Sequence, residues 1–199
     1  HPDNPAPRQI LQVVDILKND GVIIYPTDTV YGFGCDIFNQ KAVERIARIK
    51  GLKPENANFS FICYDLSHIS DFTRHFDNHT FKMIKKYLPG PFTFILPANN
   101  NIPKRFKKKK KTLGIRNPKN NIPLEIVKEL GNPILTTSIH DYDKVLDYTT
   151  DPELIHENFE NIVDAVIDGG FGNNIPSTIL DCTGDEIIVV RQGMGVFED

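Results

Sequence analysis

The stretch GVIIYPTDTVYGFGCD, residues 21–36, contains the strongest signals for the fold. Its apolar residues VIIY predict a buried strand, and Pro26 ends that strand because proline cannot donate a hydrogen bond to a sheet. Two threonines, an aspartate and the glycines of GFG follow at once. Ligands of open α/β sheets bind beyond the carboxyl ends of strands, so this polar segment is predicted to border a ligand site, where Gly32 and Gly34 let the backbone approach a ligand or a neighbouring helix. A tight turn packed by Tyr31 and Phe33 is the alternative interpretation of GFG.

Segments with helical and strand-like patterns alternate along the rest of the chain. Amphipathic helices are predicted for residues 8–19, 41–50, 79–88, 122–130 and 152–160. Short apolar strands are predicted for residues 22–25, 59–64, 92–96, 113–116, 133–138, 163–168, 177–182 and 186–191. This order predicts an α/β protein with a twisted, mixed sheet flanked by helices. Because the chain has no internal repeat or low-complexity linker, one domain over residues 1–199 is predicted.

The composition is that of an ordinary globular protein, with 25% charged and 40% hydrophobic residues. A net charge of -3 provides no general attraction to nucleic acid or anionic lipid. No apolar run approaches the roughly 20 residues that cross a bilayer, so no membrane contact is predicted, and the first residues lack the pattern of a signal peptide. The wide spacing of Cys35, Cys63 and Cys182 predicts buried free thiols in a reducing cytoplasm.

Cationic and hydroxyl side chains recur where predicted strands end. Arg116, Ser138 and Arg191 each stand at or just beyond such an end, and Lys50 ends a predicted helix. Guanidinium groups match phosphate oxygens with paired hydrogen bonds, so this set favours a phosphate-bearing ligand. The alternative for Lys50 is a cation that only complements the helix dipole. GFG lacks the third glycine of a dinucleotide fingerprint, and no P-loop motif occurs in the chain.

Seven motifs carry a resemblance to a known family: YPTDTVYGFG, PGPFTFIL, LGIRNP, PILTTS, VIDGG, STILD and VVRQG. In this order and spacing they resemble the YrdC family of threonylcarbamoyl-AMP synthases, from about residue 10 to the end. The resemblance implies a YrdC-like fold with a concave, positively charged cleft. It also implies that ATP, L-threonine and bicarbonate react there to give threonylcarbamoyl-AMP and pyrophosphate, for the t6A modification of adenosine 37 in tRNA. Mg²⁺ is expected to share the neutralisation of phosphate charge.

The resemblance also implies roles for individual residues. Lys50 and Arg191 are the expected catalytic residues. The expected ATP contacts are Lys50, Asn58, Thr112, Ser138 and Arg191. The expected threonine contacts are Thr27, Thr29, Arg116 and Ser177. No residue is assigned to a metal.

Three positions differ from the family pattern. Leu52 replaces the arginine of the KxR motif, His140 replaces the asparagine of SxN, and Cys63 aligns with a histidine. These changes are similar to the YciO branch of the family. Loss of a charge-assisted phosphate contact weakens binding by a few kcal/mol, so weak or altered synthase activity is expected.

The run KRFKKKKK, from Lys104 to Lys111, contains seven cations around one phenylalanine. A solvated loop is one interpretation, and a contact to the RNA backbone is the other. The alternative function is therefore a non-synthetic, YciO-like protein that binds double-stranded RNA or tRNA with its basic cleft. His68, His75 and His79 are predicted to lie on a helix surface and not to bind a metal, because their spacing is not that of metal ligands.

Overall fold

A computed structural model describes residues 1–53, 59–103, 112–139 and 149–198 of the protein. Its helices are α1 (Pro7–Lys18), α2 (Gln40–Ile49), α3 (Leu66–Ser70), α4 (Asn78–Tyr87), α5 (Asn121–Leu130) and α6 (Pro152–Phe159). Its strands are β1 (Ile23–Tyr25), β2 (Gly32–Asp36), β3 (Ser60–Ile62), β4 (Phe92–Pro97), β5 (Thr112–Arg116), β6 (Ile134–Ser138), β7 (Ala165–Val166), β8 (Thr178–Asp181) and β9 (Ile188–Arg191). Five helices and eight strands were predicted from the pattern, whereas β2 and the short helix α3 were not.

The strands form one sheet in the order β7-β1-β2-β6-β3-β5-β4-β8-β9. The pairs β1–β7, β3–β5 and β4–β8 are parallel, and the other neighbours within the described residues are antiparallel. The predicted α/β class with a twisted, mixed sheet and flanking helices is therefore confirmed. No helix in the described parts of the chain has both the length and the apolar character needed to cross a membrane.

Helices cover the first face of the sheet with a large apolar core. Phe33, Phe61, Phe94 and Leu135 point to this face and are almost completely buried. Helices α2, α3, α4 and α6 contribute Ile46, Ile69, Ile84 and Ile155 to the same core. The free thiols of all three cysteines are buried, as predicted. With an apolar core on each face, the sheet lies between two layers of helices.

The second face is apolar along one part and polar along the other. Helices α1 and α5 pack against each other and against Ile23, Ile62 and Ile134. Farther along the same strands and on the same face, Thr136 and Ser138 follow Ile134, while Ser60 precedes Ile62. Helices α1 and α5 cover only the apolar part of this face. The polar part is left uncovered and lines an open cleft.

The GFG segment is a strand, and the tight turn that was the alternative interpretation is not formed. Tyr25 lies opposite Gly32 in β1–β2 pairing, and its hydroxyl donates a 2.6 Å hydrogen bond to Thr136 Oγ1. A Cβ on Gly34 would lie 2.7 Å from Tyr25 Cε1, so the glycine leaves room for the tyrosine ring. Gly34 therefore accommodates a side chain of the same sheet, whereas Gly32 also lines the cleft. Glycine lowers strand propensity, which is why the pattern did not predict β2.

The prediction that His68 lies on a helix surface is wrong, because it is buried in α3. His79 is exposed on α4 as predicted, whereas His75 is exposed but lies between α3 and α4. Asp65 caps α3 by accepting a 2.8 Å hydrogen bond from the backbone N–H of His68. The His68 ring stacks on Tyr64 at 4.5 Å between ring centroids and meets Phe72 edge to face. Burial lowers the pKa of His68, so the neutral ring is favoured at this position.

Candidate functional site

The candidate site is the cleft on the second face of the sheet, and hydroxyl side chains dominate its lining. These hydroxyls belong to Thr29, Ser60, Thr93, Thr136, Ser138 and Ser177, which come from five separate segments of the chain. The guanidinium groups of Arg116 and Arg191 also line it. The cleft has an empty volume of about 540 Å³, which includes space open to the solvent.

A buried ion pair orients Arg116. Its Nη2 atom lies 2.8 Å from Asp28 Oδ1 and donates to Thr29 Oγ1 at 3.1 Å. The side chains of Arg116 and Asp28 are only 8% and 9% exposed. The other oxygen of Asp28 accepts a 3.0 Å hydrogen bond from the backbone N–H of Lys119. Asp28 thereby fixes one edge of the guanidinium group, although its side chain is not part of the cleft lining.

The Nε atom of Arg116 is buried and has no hydrogen-bond partner within the described residues. A buried guanidinium N–H without a partner is costly, since it has lost water and gained nothing in return. Arg116 itself lines the cleft, where a guanidinium group suits an anionic oxygen of a ligand.

Thr27 shapes the loop that follows β1 and does not line the cleft. Its hydroxyl donates to the carbonyl of Val30 at 2.7 Å and accepts from the backbone N–H of Thr29 at 3.0 Å. The hydroxyls of Thr27 and Thr29 lie 3.1 Å apart. Such side chain to backbone hydrogen bonds stabilise a turn, and here they hold Thr29 at the cleft.

The second guanidinium group of the site belongs to Arg191, which is held in place by Ser177. Arg191 donates to the carbonyl oxygen of Ser177 from Nη2 at 2.8 Å and from Nε at 3.2 Å. The Ser177 hydroxyl lies 2.8 Å from the Thr93 hydroxyl. Strands β4, β8 and β9 are neighbours in the sheet, so these three residues meet although they are distant in the sequence.

Ser138 ends β6 and lies opposite Gly32, where it lines the cleft. Thr136, two residues earlier, accepts the hydrogen bond of the buried Tyr25 hydroxyl. Burial raises the pKa of Tyr25, so this hydroxyl stays protonated and remains the donor.

The sequence did not single out Asp28, Ser60, Thr93 or Thr136. The signal that could have identified Asp28 is its position between the two threonines of PTDT. The others stand inside predicted strands, where the pattern does not tell which face a side chain occupies.

The structure brings Thr29, Arg116, Ser138, Ser177 and Arg191 together in the cleft. Lys50, at the C-terminal end of α2, and Thr112, the first residue of β5, are half-buried and are not among the described residues that line it. The roles of Lys50 and Thr112 remain predictions. The predicted Asn58, the departure at His140 and the run Lys104–Lys111 lie outside the described residues.

Comparison with known proteins identifies relatives over nearly the whole chain. The Sua5/YciO/YrdC family model, described as telomere recombination, matches residues 15–193. The uncharacterized protein YciO of Escherichia coli (strain K12) is 42% identical over 197 residues, which cover 98% of this chain and 94% of that protein. The threonylcarbamoyl-AMP synthase of Bacillus subtilis (strain 168) is 30% identical over 187 residues, which cover 93% of this chain but 53% of that protein.

Solved structures show the same relationship. The crystal structure of E. coli YciO matches with a TM-score of 0.89 at 41% identity, covering 98% of this chain and 94% of that one. The crystal structure of P. abyssi Sua5 complexed with L-threonine matches with a TM-score of 0.85 over 96% of this chain and 55% of that one. At 23% identity this second match shows a common fold alone. With its sequence matched from residue 15 to residue 193, the chain belongs to the Sua5/YciO/YrdC family.

Proposed function

We propose that the protein binds L-threonine and ATP in the cleft and carries out a threonylcarbamoyl-AMP synthase-type reaction with weak or altered activity. The observation that carries this proposal is the joint presence of Arg116, Arg191 and six hydroxyl side chains in one concave site. The name of the B. subtilis relative and the L-threonine complex of P. abyssi Sua5 support it. The adenylate product would serve t6A37 formation in tRNA, in the cytoplasm.

Arg116, Thr29 and Ser177 would hold the amino acid. The guanidinium group of Arg116, which lines the cleft, suits the α-carboxylate. The hydroxyls of Thr29 and Ser177 suit the polar groups of threonine, and Thr27 would contribute by holding Thr29 in place.

Arg191 and Ser138 would contact the phosphates of ATP, with Lys50, Asn58 and Thr112 as further proposed contacts. In the reaction, the threonine nitrogen bonds to bicarbonate carbon to give a carbamate, and water leaves. A carbamate oxygen then bonds to the α-phosphorus, the bond to the β-phosphate oxygen breaks, and pyrophosphate leaves. The cationic residues would offset the developing charge, and Lys50 and Arg191 are the proposed catalytic residues.

Mg²⁺ would reach the site on the phosphates of ATP. Within the described residues, no group of three or more His, Cys, Asp and Glu side chains could hold a metal ion. Triphosphate oxygens are the hard ligands that Mg²⁺ prefers, so the cation does not require a protein cage.

Leu52 is the basis for expecting a low rate. It is exposed and cannot supply the phosphate-facing guanidinium of the KxR pattern. RNA binding by the basic run remains a prediction, since Lys104–Lys111 lies outside the described residues.

The test follows pyrophosphate release from purified protein, ATP, Mg²⁺ and bicarbonate, with and without L-threonine, and detects threonylcarbamoyl-AMP by mass spectrometry. We expect threonine-dependent release that falls at least about tenfold in Arg191→Gln, which removes a charge-assisted contact. Arg8→Gln, on the exposed side of α1, is the matched control. Release that does not depend on threonine, or no release at all, would remove the proposed reaction.

A further inference from the structure

The hydroxyl of Tyr25 lies at the border between the apolar and the polar part of the second face. The tyrosine belongs to the apolar core that α1 and α5 cover, and it is completely buried. Its hydroxyl lies 2.6 Å from Oγ1 of Thr136, which lines the cleft. Within the described residues this hydroxyl has no second hydrogen-bond partner. Tyr25 therefore links the core to the cleft through Thr136.

Burial fixes the direction of this hydrogen bond. Each of the two hydroxyls carries one proton, and a buried hydroxyl whose proton has no acceptor is costly. If Thr136 were the donor, the proton of Tyr25 would find no acceptor among the described residues around it. Tyr25 is therefore the donor and Thr136 Oγ1 the acceptor. The proton of Thr136 then requires an acceptor of its own.

The cleft is the side from which an acceptor can reach Thr136. In the parts of the chain that the structure describes, no residue accepts a hydrogen bond from this hydroxyl. Thr136 is 6% exposed and lines the cleft together with Gly32. A Cβ on Gly32 would lie 3.2 Å from Thr136 Oγ1, so the glycine avoids crowding this oxygen. The hydroxyl proton is thus available to a ligand in the cleft.

The other groups of the cleft indicate an acceptor with negative charge. Arg116 lines the same cleft with a guanidinium group, and Ser60, opposite Thr136 in the β3–β6 pairing, adds a further hydroxyl. Hydrogen bonds from hydroxyl and guanidinium donors are stronger when the acceptor oxygen is ionised. The suitable acceptor is therefore a carboxylate, bicarbonate or phosphate oxygen.

We propose that Thr136 donates a hydrogen bond to an anionic oxygen of the bound ligand, and that Tyr25 is the positioning residue that holds Thr136 as the donor. The inference rests on the proposed binding of ligands in this cleft. L-threonine, bicarbonate and ATP each offer such an oxygen. A hydroxyl that is already oriented loses less rotational freedom when the ligand binds, so the pair raises affinity for the ligand that contacts Thr136.

The first experiment measures the binding of L-threonine, bicarbonate and Mg²⁺–ATP separately by calorimetry. Thr136→Val keeps the shape of the side chain and removes the hydroxyl. We expect it to weaken one of the three ligands about tenfold or more, which identifies the ligand that contacts Thr136, and to leave the other two within about twofold. Thr136→Ser should retain the affinity. Thr73→Val, which removes the hydroxyl of a buried threonine outside the cleft, is the matched control.

The second experiment tests whether Tyr25 acts through Thr136. Tyr25→Phe should weaken the same ligand, but less than Thr136→Val does, because the threonine hydroxyl is kept and only its orientation is lost. The double variant Tyr25→Phe/Thr136→Val leaves neither hydroxyl unpaired, so it is expected to fold even if Thr136→Val alone does not. It should bind the ligand as weakly as Thr136→Val and no more weakly. Losses that multiply in the double variant overturn the positioning role of Tyr25.

The outcomes separate this inference from the proposed function. Unchanged affinity of Thr136→Val for all three ligands, or the same weakening of all three, overturns the inference. Absence of binding of all three ligands by the unmodified protein overturns it together with the proposed function. A loss confined to one ligand, without threonine-dependent pyrophosphate release by the unmodified protein, leaves the inference standing and removes the proposed reaction alone.

Discussion

Asp28 shows how one carboxylate can prepare a cleft without lining it. It holds Nη2 of Arg116 and the N–H of Lys119, so it joins the loop after β1 to the end of β5. Its exposed fraction is below one tenth, and water screens the Asp28–Arg116 attraction less than it screens a surface pair. Removal of one partner of such a pair leaves the other charge buried and uncompensated.

We expect Asp28→Ala to lower the free energy of unfolding by about 3 kcal/mol. Urea denaturation followed by circular dichroism measures this change. Asp185→Asn, on an exposed loop, should stay within about 0.5 kcal/mol of the unmodified protein. Equal stability of the two variants would show that the Asp28–Arg116 pair makes no net contribution.

The glycine at position 34 leads to a second prediction at the same scale. We expect Gly34→Ala to lower the free energy of unfolding by about 1–3 kcal/mol, because the new methyl group would overlap the Tyr25 ring at 2.7 Å. Gly184→Ala is the matched control, since the nearest atom to its Cβ lies 4.0 Å away. If both substitutions have the same small effect, the ring does not depend on Gly34 for its position.

At the scale of elements, α1 and α5 decide how much of the second face remains open. The two helices pack against each other and bury Leu17, Ile126 and their neighbours against β1, β3 and β6. They cover Ile134 but not Ser138, so the end of the helical cover is also the edge of the cleft.

Two leucines of α1 test this packing. Leu17 is completely buried, and Leu17→Ala should lower the free energy of unfolding by about 2–5 kcal/mol through lost burial and a cavity. Leu11 is 54% exposed in the same helix, so Leu11→Ala should change the free energy by less than about 1 kcal/mol. Chemical denaturation of both variants provides the comparison. A loss at Leu11 as large as that at Leu17 would contradict the packing of α1 described above.

At the scale of the whole molecule, the free energy of unfolding should depend on pH through His68. Burial lowers the pKa of this side chain in the folded state, although Asp71 and Asp65 act in the opposite direction. The unfolded chain then binds more protons than the folded protein once the pH falls toward the usual histidine pKa of about 6.5. The contribution of His68 is therefore present above that pH and is lost as the pH falls through the lowered value.

We expect the free energy of unfolding to fall between about pH 7.5 and about pH 5.5, and to fall less steeply in His68→Phe, which keeps an aromatic ring between Tyr64 and Phe72. Urea midpoints at several pH values measure both slopes. His75→Phe, at an exposed position, is the control and should retain the slope of the unmodified protein. Identical slopes for all three proteins would exclude His68 as the cause.

Local patterns in the sequence were sufficient for the α/β class and for most elements. Together with the family resemblance they singled out Thr29, Arg116, Ser138, Ser177 and Arg191, which the structure brings into one cleft. Strand and helix periods, proline and the ends of apolar runs are local signals, and they mark where a strand stops and a polar residue follows. The same signals missed β2, because its glycines are explained only by the tyrosine of the neighbouring strand.

The sequence by itself determined most of the segments that form helices and strands, because that information lies in residues close together in the chain. Only the tertiary structure decided that Asp28 binds Arg116 and that Ser60, Thr93 and Thr136 line the cleft. These relations join segments that are far apart in the chain, and they depend on strand order and on which face is left uncovered. Sheet pairing and helix docking set both of these, and no local pattern encodes them.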